Sequence, residues 1–392
     1  MISVEEARML LIHNLPTAQS TLVALREASQ RILAEDIYAP MNVPSFDNAA
    51  MDGYAFAFDS YQKGLLYLGD HVIQAGETKI PVLQSGEVAR IFTGAPIPEG
   101  ADTVVMQEKV SVAGKAIAIL EDAVQGTNIR REASQTAVHE KVIAAGNKLS
   151  PGVIGLLASL GLPKVKVYTK PRVAIIVTGN ELVAPGDILR RGQIYESNAS
   201  TLVAALHDLY TTPHLMEIVA DDPAKIKAVI DSFLPQCDML IITGGISVGD
   251  YDFVQDALAQ AGVQKIFYKV KQKPGKPLYS GKKNSTLVFG LPGNPAAVLT
   301  CFYQYVAPCI KGMQGVGDFF EHHVRRRLTA AVHKKVGLTH FMKGRMEGEA
   351  VTVLSSQESY KLDAFVATNC LVELEEGGQF YDKGAMVAVY PI

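Results

Sequence analysis

Apolar positions recur at helical spacing in VEEARMLLIHNL and again in TLVALREASQRILAED, so the first 35 residues predict two helices. DIYAPMNVPSF then turns extended, and Pro40 and Pro44 end the helical entry. Between about Leu65 and Val142 the pattern shortens to LLYLG, VARIFTG, DTVVMQEKV and KAIAIL, β-type runs divided by Gly and Pro. An all-β module is predicted there. Ser150 and Pro151 before GVIGLLASLGL supply an N-cap, a first-turn proline and a glycine stop, which predicts one short helix closing that module.

Residues 171–312 change character. The apolar runs RVAIIVTG, HLMEIVA, DMLIITGG and TLVFGLPG alternate with the helical patterns TLVAALHDLY, PAKIKAVIDSFL, FVQDALAQAG and PAAVLTCFYQYV. Such alternation predicts parallel strands with helices on both faces. Past Gly317 come RRRLTAAVH, HFMKGRM, AVTVLSS, CLVELEE and AMVAVYPI, the strands of a small β-domain. The expected fold class is therefore multidomain α/β plus β. A helical and extended linker domain takes 1–45 with 140–170, an inserted all-β module 46–139, a doubly wound, mostly parallel α/β domain 171–315, and a C-terminal β-domain 316–392.

A length of 392 residues with 48% hydrophobic content also argues for several cores. The formal charge of −3 gives no reason to expect a surface that coats polyanions, so nucleic acid is not an expected partner. Cys237, Cys301, Cys309 and Cys370 show no C-x-x-C spacing and suit a reducing compartment. The amino end carries acids and a Ser3-x-x-Glu6 capping box where a signal peptide would carry bases, and no apolar run approaches a membrane span. A cytoplasmic protein without membrane association is expected.

In an open parallel sheet, ligands bind beyond the carboxyl ends of the strands. Three of the four runs end in VTGNEL, ITGGISVGDYD and GLPGNP. Gly244, Gly245 and Gly293 in these loops let backbone N–H groups approach a ligand, and the helices beginning after Asp252 and at Pro295 would turn positive ends toward it. An anion is the expected ligand. In KVKQKPGKP, Lys269, Lys271 and Lys273 alternate with Val270 and Gln272 and so should share a side, with Lys276 after a Pro-Gly turn. A solvated edge strand would explain such lysines as well. Acids lie on the same edge: Glu181, Asp250, Asp252 and Asp221, the last also a candidate helix cap. Carboxylates beside bound phosphate call for a divalent cation, for which Mg²⁺ is suited.

The segment GISVG fits the elbow that carries a nucleophilic serine, but the downstream histidines fall in or next to the terminal β-domain and no HGGG-like oxyanion segment is present. Ser247 reads as a hydroxyl donor to a ligand. His322-His323 and Arg325-Arg326-Arg327 read as a solvated interdomain connection.

Taken in order, NAAMDGYA, FTGAPIPEGADTVV, NIRRE, LSPGVIGLLASLG, TGNEL, TGGISVGDYD, KPGKP and LPGNPAA resemble the molybdopterin molybdenumtransferase family over nearly the full length. This family includes bacterial enzymes of molybdenum cofactor biosynthesis and the corresponding domain of gephyrin. The resemblance implies conversion of adenylylated molybdopterin and molybdate to molybdenum cofactor, with AMP released and Mg²⁺ required. It implies an elongated homodimer whose cleft pairs the α/β domain of one subunit with the β module of the other. A molybdopterin adenylyltransferase and cofactor-receiving apo-enzymes are the implied partners.

By position, the resemblance assigns Asp52 and Thr93 to one cleft wall. It makes Glu181, Asp221 and Asp252 the acidic positions and candidate Mg²⁺ ligands, and Lys269 and Lys273 the basic ones. Lys276, the LPGNP residues Pro292, Gly293, Asn294 and Pro295, and the terminal-domain residues Lys343 and Ser359 would contact substrate. The chain also departs from the family pattern. Ser134 and Gln135 stand where Glu and Asp are usual after NIRR, Asn180 stands in TGNEL for Asp, and Lys343 stands for Arg in FMKG. The alternative reading is a weakened paralogue that binds the pterin nucleotide or an enzyme partner without turnover.

Overall fold

The computed structural model describes residues 1–246, 253–321 and 323–392. They form two compact units, one of residues 1–21, 30–34 and 166–392, the other of 22–29 and 35–165.

In the first unit a six-stranded sheet runs in the order Pro213–Val219, Val173–Thr178, Met239–Thr243, Thr286–Leu291, Tyr279–Lys283, Gln264–Tyr268. The first four strands are parallel and the last two pair antiparallel, so the sheet is mostly parallel as expected. Period-two alternation sends Val173, Ile175 and Val177 into one core and Ala174 and Ile176 into the other. Helices Asn198–Asp208 and Pro295–Cys301 cover the first face, and Pro223–Phe233 and Phe253–Gln260 the second. The strand order reverses between Val173–Thr178 and Met239–Thr243, the switch point of a doubly wound sheet.

The predicted helix at the amino end is Val4–Asn14, capped by Ser3, whose Oγ accepts from Glu6 N–H at 3.1 Å. Val4, Ala7 and Leu11 recur at helical spacing and enter the first core. Leu11 is fully buried, so Leu11→Ala is expected to cost about 2–5 kcal/mol. The second predicted helix does not form. Ser20–Ala24 is a strand, Leu25–Glu27 a single turn, and Gln30 has φ 64°. In place of i−4 carbonyls this stretch uses 163–168: Leu25 N–H donates to Pro163 O, Ala34 N–H to Lys166 O, and Tyr168 N–H to Ile32 O.

A second six-stranded sheet forms the terminal β-domain, and all five predicted runs supply strands: Val324–Leu328, Thr339–Glu347, Ala350–Val353, Cys370–Leu374 and Met386–Pro391. The arginine run expected in a connection lies within Val324–Leu328, paired with Met386–Pro391. The sixth strand comes from elsewhere: Gln272–Lys273 joins the edge parallel to Thr339 and His340. The KPGKP segment is thereby sewn to the terminal domain.

The other unit contains the all-β module, with the sheet order Thr103–Met106, Gly53–Phe56, Glu87–Ile91, Tyr67–Ile73, Ala116–Ile119, Val110–Ala113. Ala55, Ile73, Ala89, Ile91 and Val104 fill one of its cores. Helix Pro151–Ser159 follows with the predicted cap, Ser150 Oγ accepting from Val153 N–H at 3.4 Å.

Candidate functional site

At the switch point the loops are joined by side chains. Asn198, buried at the start of its helix, donates through Nδ2 to Thr243 Oγ1 at 3.2 Å and to Gly293 O at 2.9 Å. One amide thus couples the loops after the third and sixth strands in chain order. Gly244 has φ 87°, and a Cβ there would sit 2.3 Å from Thr178 O, so only glycine fits. On the other side Asp221 N–H donates to Asn180 Oδ1 at 3.0 Å and Asn180 N–H to Asp221 Oδ2 at 3.4 Å. Asp222 caps the following helix, which leaves Asp221 to the loop, with its Oδ1 buried and without a hydrogen-bond partner among the described residues. Ser247, Asp250 and Asp252 lie outside the described residues, as does His322.

The edge lysines do not converge as a set. Lys269 has φ 64° and its ammonium lies 4.9 Å from the centre of the Tyr268 ring. Lys271 pairs with Glu376 at 2.9 Å. Val270 and Gln272 are buried as the alternation predicts, but the positive φ at Lys269 and the ion pair at Lys271 send those two charges elsewhere. Lys273 and Lys276 remain together. They line a cavity of about 340 Å³ with Pro292, Asn294, Gln357 and Ser359. Asn294 Nδ2 donates to Ser359 Oγ at 3.0 Å and Ala296 N–H to Ser359 O at 3.1 Å, which ties the LPGNP loop to the terminal domain. Pro295 opens the helix Pro295–Cys301.

An adjoining depression of about 460 Å³ shares Lys273, Pro274, Leu338 and Gln357 and adds His333, Lys334, Lys335 and His340. Lys334 is buried, its ammonium donating to Leu338 O at 2.9 Å and Glu376 O at 3.3 Å. Burial, then Lys334 and Lys273, push His340 down to about 4, so it is a neutral imidazole in a positive field at pH 7.

Lys343 does not line the first cavity. It is buried, and Nζ donates to Glu358 O at 3.3 Å and Lys361 O at 3.1 Å, with the Phe365 ring centre 5.6 Å away. Its ammonium grips the backbone of the segment that presents Ser359.

In the β module, Thr93 donates to Asp52 Oδ1 twice, from its backbone N–H at 2.8 Å and its hydroxyl at 2.7 Å. These bonds, with Arg90 nearby, hold the Asp52 carboxyl below the usual carboxylate range. The Arg90 guanidinium lies over Tyr54 and Phe92, with ring centres at 5.0 and 4.8 Å, and donates to Gly53 O at 3.0 Å. In the NIRREASQ loop, Arg131 pairs with Asp47 at 2.6 Å and Glu132 accepts from Asn42 Nδ2 at 2.6 Å. Gln135 is exposed and held through its backbone N–H to Val43 O. Arg90 and Asn198 escaped the sequence reading, because neither a strand arginine nor a helix-start asparagine stands out from its ordinary structural use.

No group of three His, Cys, Asp or Glu side chains among the described residues is placed to hold a metal ion. The Asp221 Oδ1, without a partner among the described residues, is nonetheless a hard oxygen donor, and Mg²⁺ needs only one or two carboxylates when substrate phosphate and water complete its shell. The residues present fit that ion. Among the described residues, no helix is long and apolar enough to cross a membrane.

Comparisons with known proteins agree along the whole chain. Three family models match: the MoeA N-terminal region (domain I and II) over residues 2–161, the "Probable molybdopterin binding domain" over 174–312, and the MoeA C-terminal region (domain IV) over 325–392. A molybdopterin molybdenumtransferase of Haemophilus influenzae is 36% identical, with 100% of this chain and 98% of that protein covered. Molybdopterin molybdenumtransferase 2 of Mycobacterium tuberculosis is 33% identical with both chains fully covered. Two crystal structures of a molybdopterin biosynthesis moeA protein from Pyrococcus horikoshii are 29% and 28% identical, with TM-scores of 0.84 and 0.81. All of this chain is covered in each, with 99% and 100% of the other.

Proposed function

The chain belongs to the molybdopterin molybdenumtransferase family and is a transferase of molybdenum cofactor biosynthesis, and from that premise we propose that its substrates are molybdate and adenylylated molybdopterin, with AMP released as the cofactor forms. The observation that carries this reading is the convergence of Lys273 and Lys276 with Asn294 and Ser359 in one cavity. Two ammonium groups attract a tetrahedral dianion, and the amide and hydroxyl orient its oxygens by hydrogen bonds. Glu181 and Asp221 would hold Mg²⁺, which polarises a phosphoryl group when bound. Asp52, kept anionic by Thr93, orders polar groups or water on substrate. The dithiolene sulfurs belong to the substrate, and all four cysteines are buried, so no protein thiol is needed. The working form under this proposal is a cytoplasmic homodimer that receives substrate from an adenylyltransferase and passes cofactor to apo-enzymes.

The test is AMP release from adenylylated molybdopterin by purified protein with Mg²⁺, with and without molybdate. Molybdate-dependent release is expected. Tight binding of the nucleotide without any release would instead establish the binding-only paralogue.

A further inference from the structure

Beneath the lysine loop lies a side chain that the proposed chemistry has not used. Gln272 is fully buried, directly before Lys273. Its Nε2 donates to Pro274 O at 3.2 Å and Gly275 O at 3.1 Å, and its Oε1 accepts from the Tyr305 hydroxyl. Both amide protons therefore hold the turn between Lys273 and Lys276, and the oxygen is fixed to the helical segment behind it. Cys301 closes the base: its Sγ lies 3.8 Å from Gly275 O, and a Cβ on Gly275 would approach that sulfur to 2.4 Å. Burial pushes the Cys301 thiol up to about 12, so it stays protonated as a donor. A buried amide is costly unless its polar atoms are matched, and here the matching partners are the loop's own carbonyls.

We propose that Gln272 is a positioning residue for oxyanion binding: it fixes the Pro274-Gly275 turn so that the Lys273 and Lys276 ammonium groups face one cavity. The proposal rests on the reading that this cavity takes molybdate. An apolar residue of similar size would fill the space but release both carbonyls, and the two lysines would then hold their relative positions less closely.

Molybdate binding to the full-length protein, measured by calorimetry, and the molybdate KM for AMP release are the readouts. The variants are Gln272→Met, the double variant Gln272→Met with Tyr305→Phe, and Lys276→Ala. Gln272→Met is expected to weaken molybdate binding and raise its KM by about tenfold or more, with kcat at saturating molybdate retained. The double variant also removes the stranded Tyr305 hydroxyl, so its melting temperature should recover toward the parent's while the molybdate affinity stays low. Recovery of affinity together with stability would reduce Gln272 to a packing residue and overturn the proposal. Unchanged binding in Gln272→Met, with binding lost in Lys276→Ala, would overturn the proposal and leave the cavity reading intact. Unchanged binding in Lys276→Ala would remove the cavity reading and the proposal with it.

Discussion

Asn180 and Asp221 hold each other reciprocally, each backbone N–H donating to the other's side-chain oxygen, at 3.0 and 3.4 Å. A neutral amide at position 180 satisfies Asp221 N–H without placing a second negative charge beside the Asp221 carboxylate. Asn180→Asp keeps the acceptor and adds that charge, so half-maximal AMP release should need less Mg²⁺. Asn180→Leu loses the bond, with an expected cost of about 0.5–1.5 kcal/mol. A Mg²⁺ titration identical in parent and Asn180→Asp would exclude a cation at this loop.

Asp221→Asn tests the carboxylate itself. Since Asp222 caps the helix, the exchange at 221 should leave the melting temperature within about 2 °C, as expected for a change well under 1 kcal/mol in a chain this long. AMP release should fall by about tenfold or more if the group assists phosphoryl polarisation. Equal loss of activity and stability would point to a scaffold role.

Lys343 anchors the Ser359 segment through two carbonyls. Lys343→Met is expected to destabilise the protein by about 1–3 kcal/mol and to raise the molybdate KM, because the segment that presents Ser359 loses its tether. Lys343→Arg should also lower the melting temperature, since a planar fork does not fit carbonyls gathered around an ammonium. A stable Lys343→Arg protein with tighter molybdate binding would show that the side chain can turn to the ligand.

His340 gives the pH dependence a sign. Its folded value of about 4 lies below the ordinary 6.5, so the unfolded chain takes up a proton first as the pH falls. The stability that His340 contributes is complete above about pH 6.5 and is lost progressively toward about pH 4. Melting temperature should drop across that window, and the drop should be shallower in His340→Asn. The same slope in both proteins would contradict the assignment.

Gln135→Asp addresses the departure after NIRR. Gln135 is exposed and held through its backbone N–H, so stability should change by less than about 0.5 kcal/mol. With Asp47 and Glu132 already supplying acid to that loop, AMP release should change by no more than about threefold, roughly 0.65 kcal/mol. Release by the variant alone would identify position 135 as a missing functional carboxylate.

By itself the sequence determined the parts whose signals are local. Apolar runs alternating with helical patterns located the four parallel strands and the helices between them, and short β-type runs the five terminal strands, because such patterns record how long an element is and how much of it is buried. Ser3 and Ser150 marked helix starts because a cap bonds within three residues. The ordered motifs identified the family. Tertiary structure decided what depends on a partner far along the chain. TLVALREASQRILAED carries a helical pattern but forms a strand, a single turn and irregular chain, because residues 163–168 supply its hydrogen bonds. Lys271 and Lys273 are alike in sequence, yet Glu376 draws one away while the cavity keeps the other. Lys343 faces carbonyls that only the folded 358–361 segment brings to it. Side-chain pattern records burial, whereas direction and pairing are set by groups that folding alone makes neighbours.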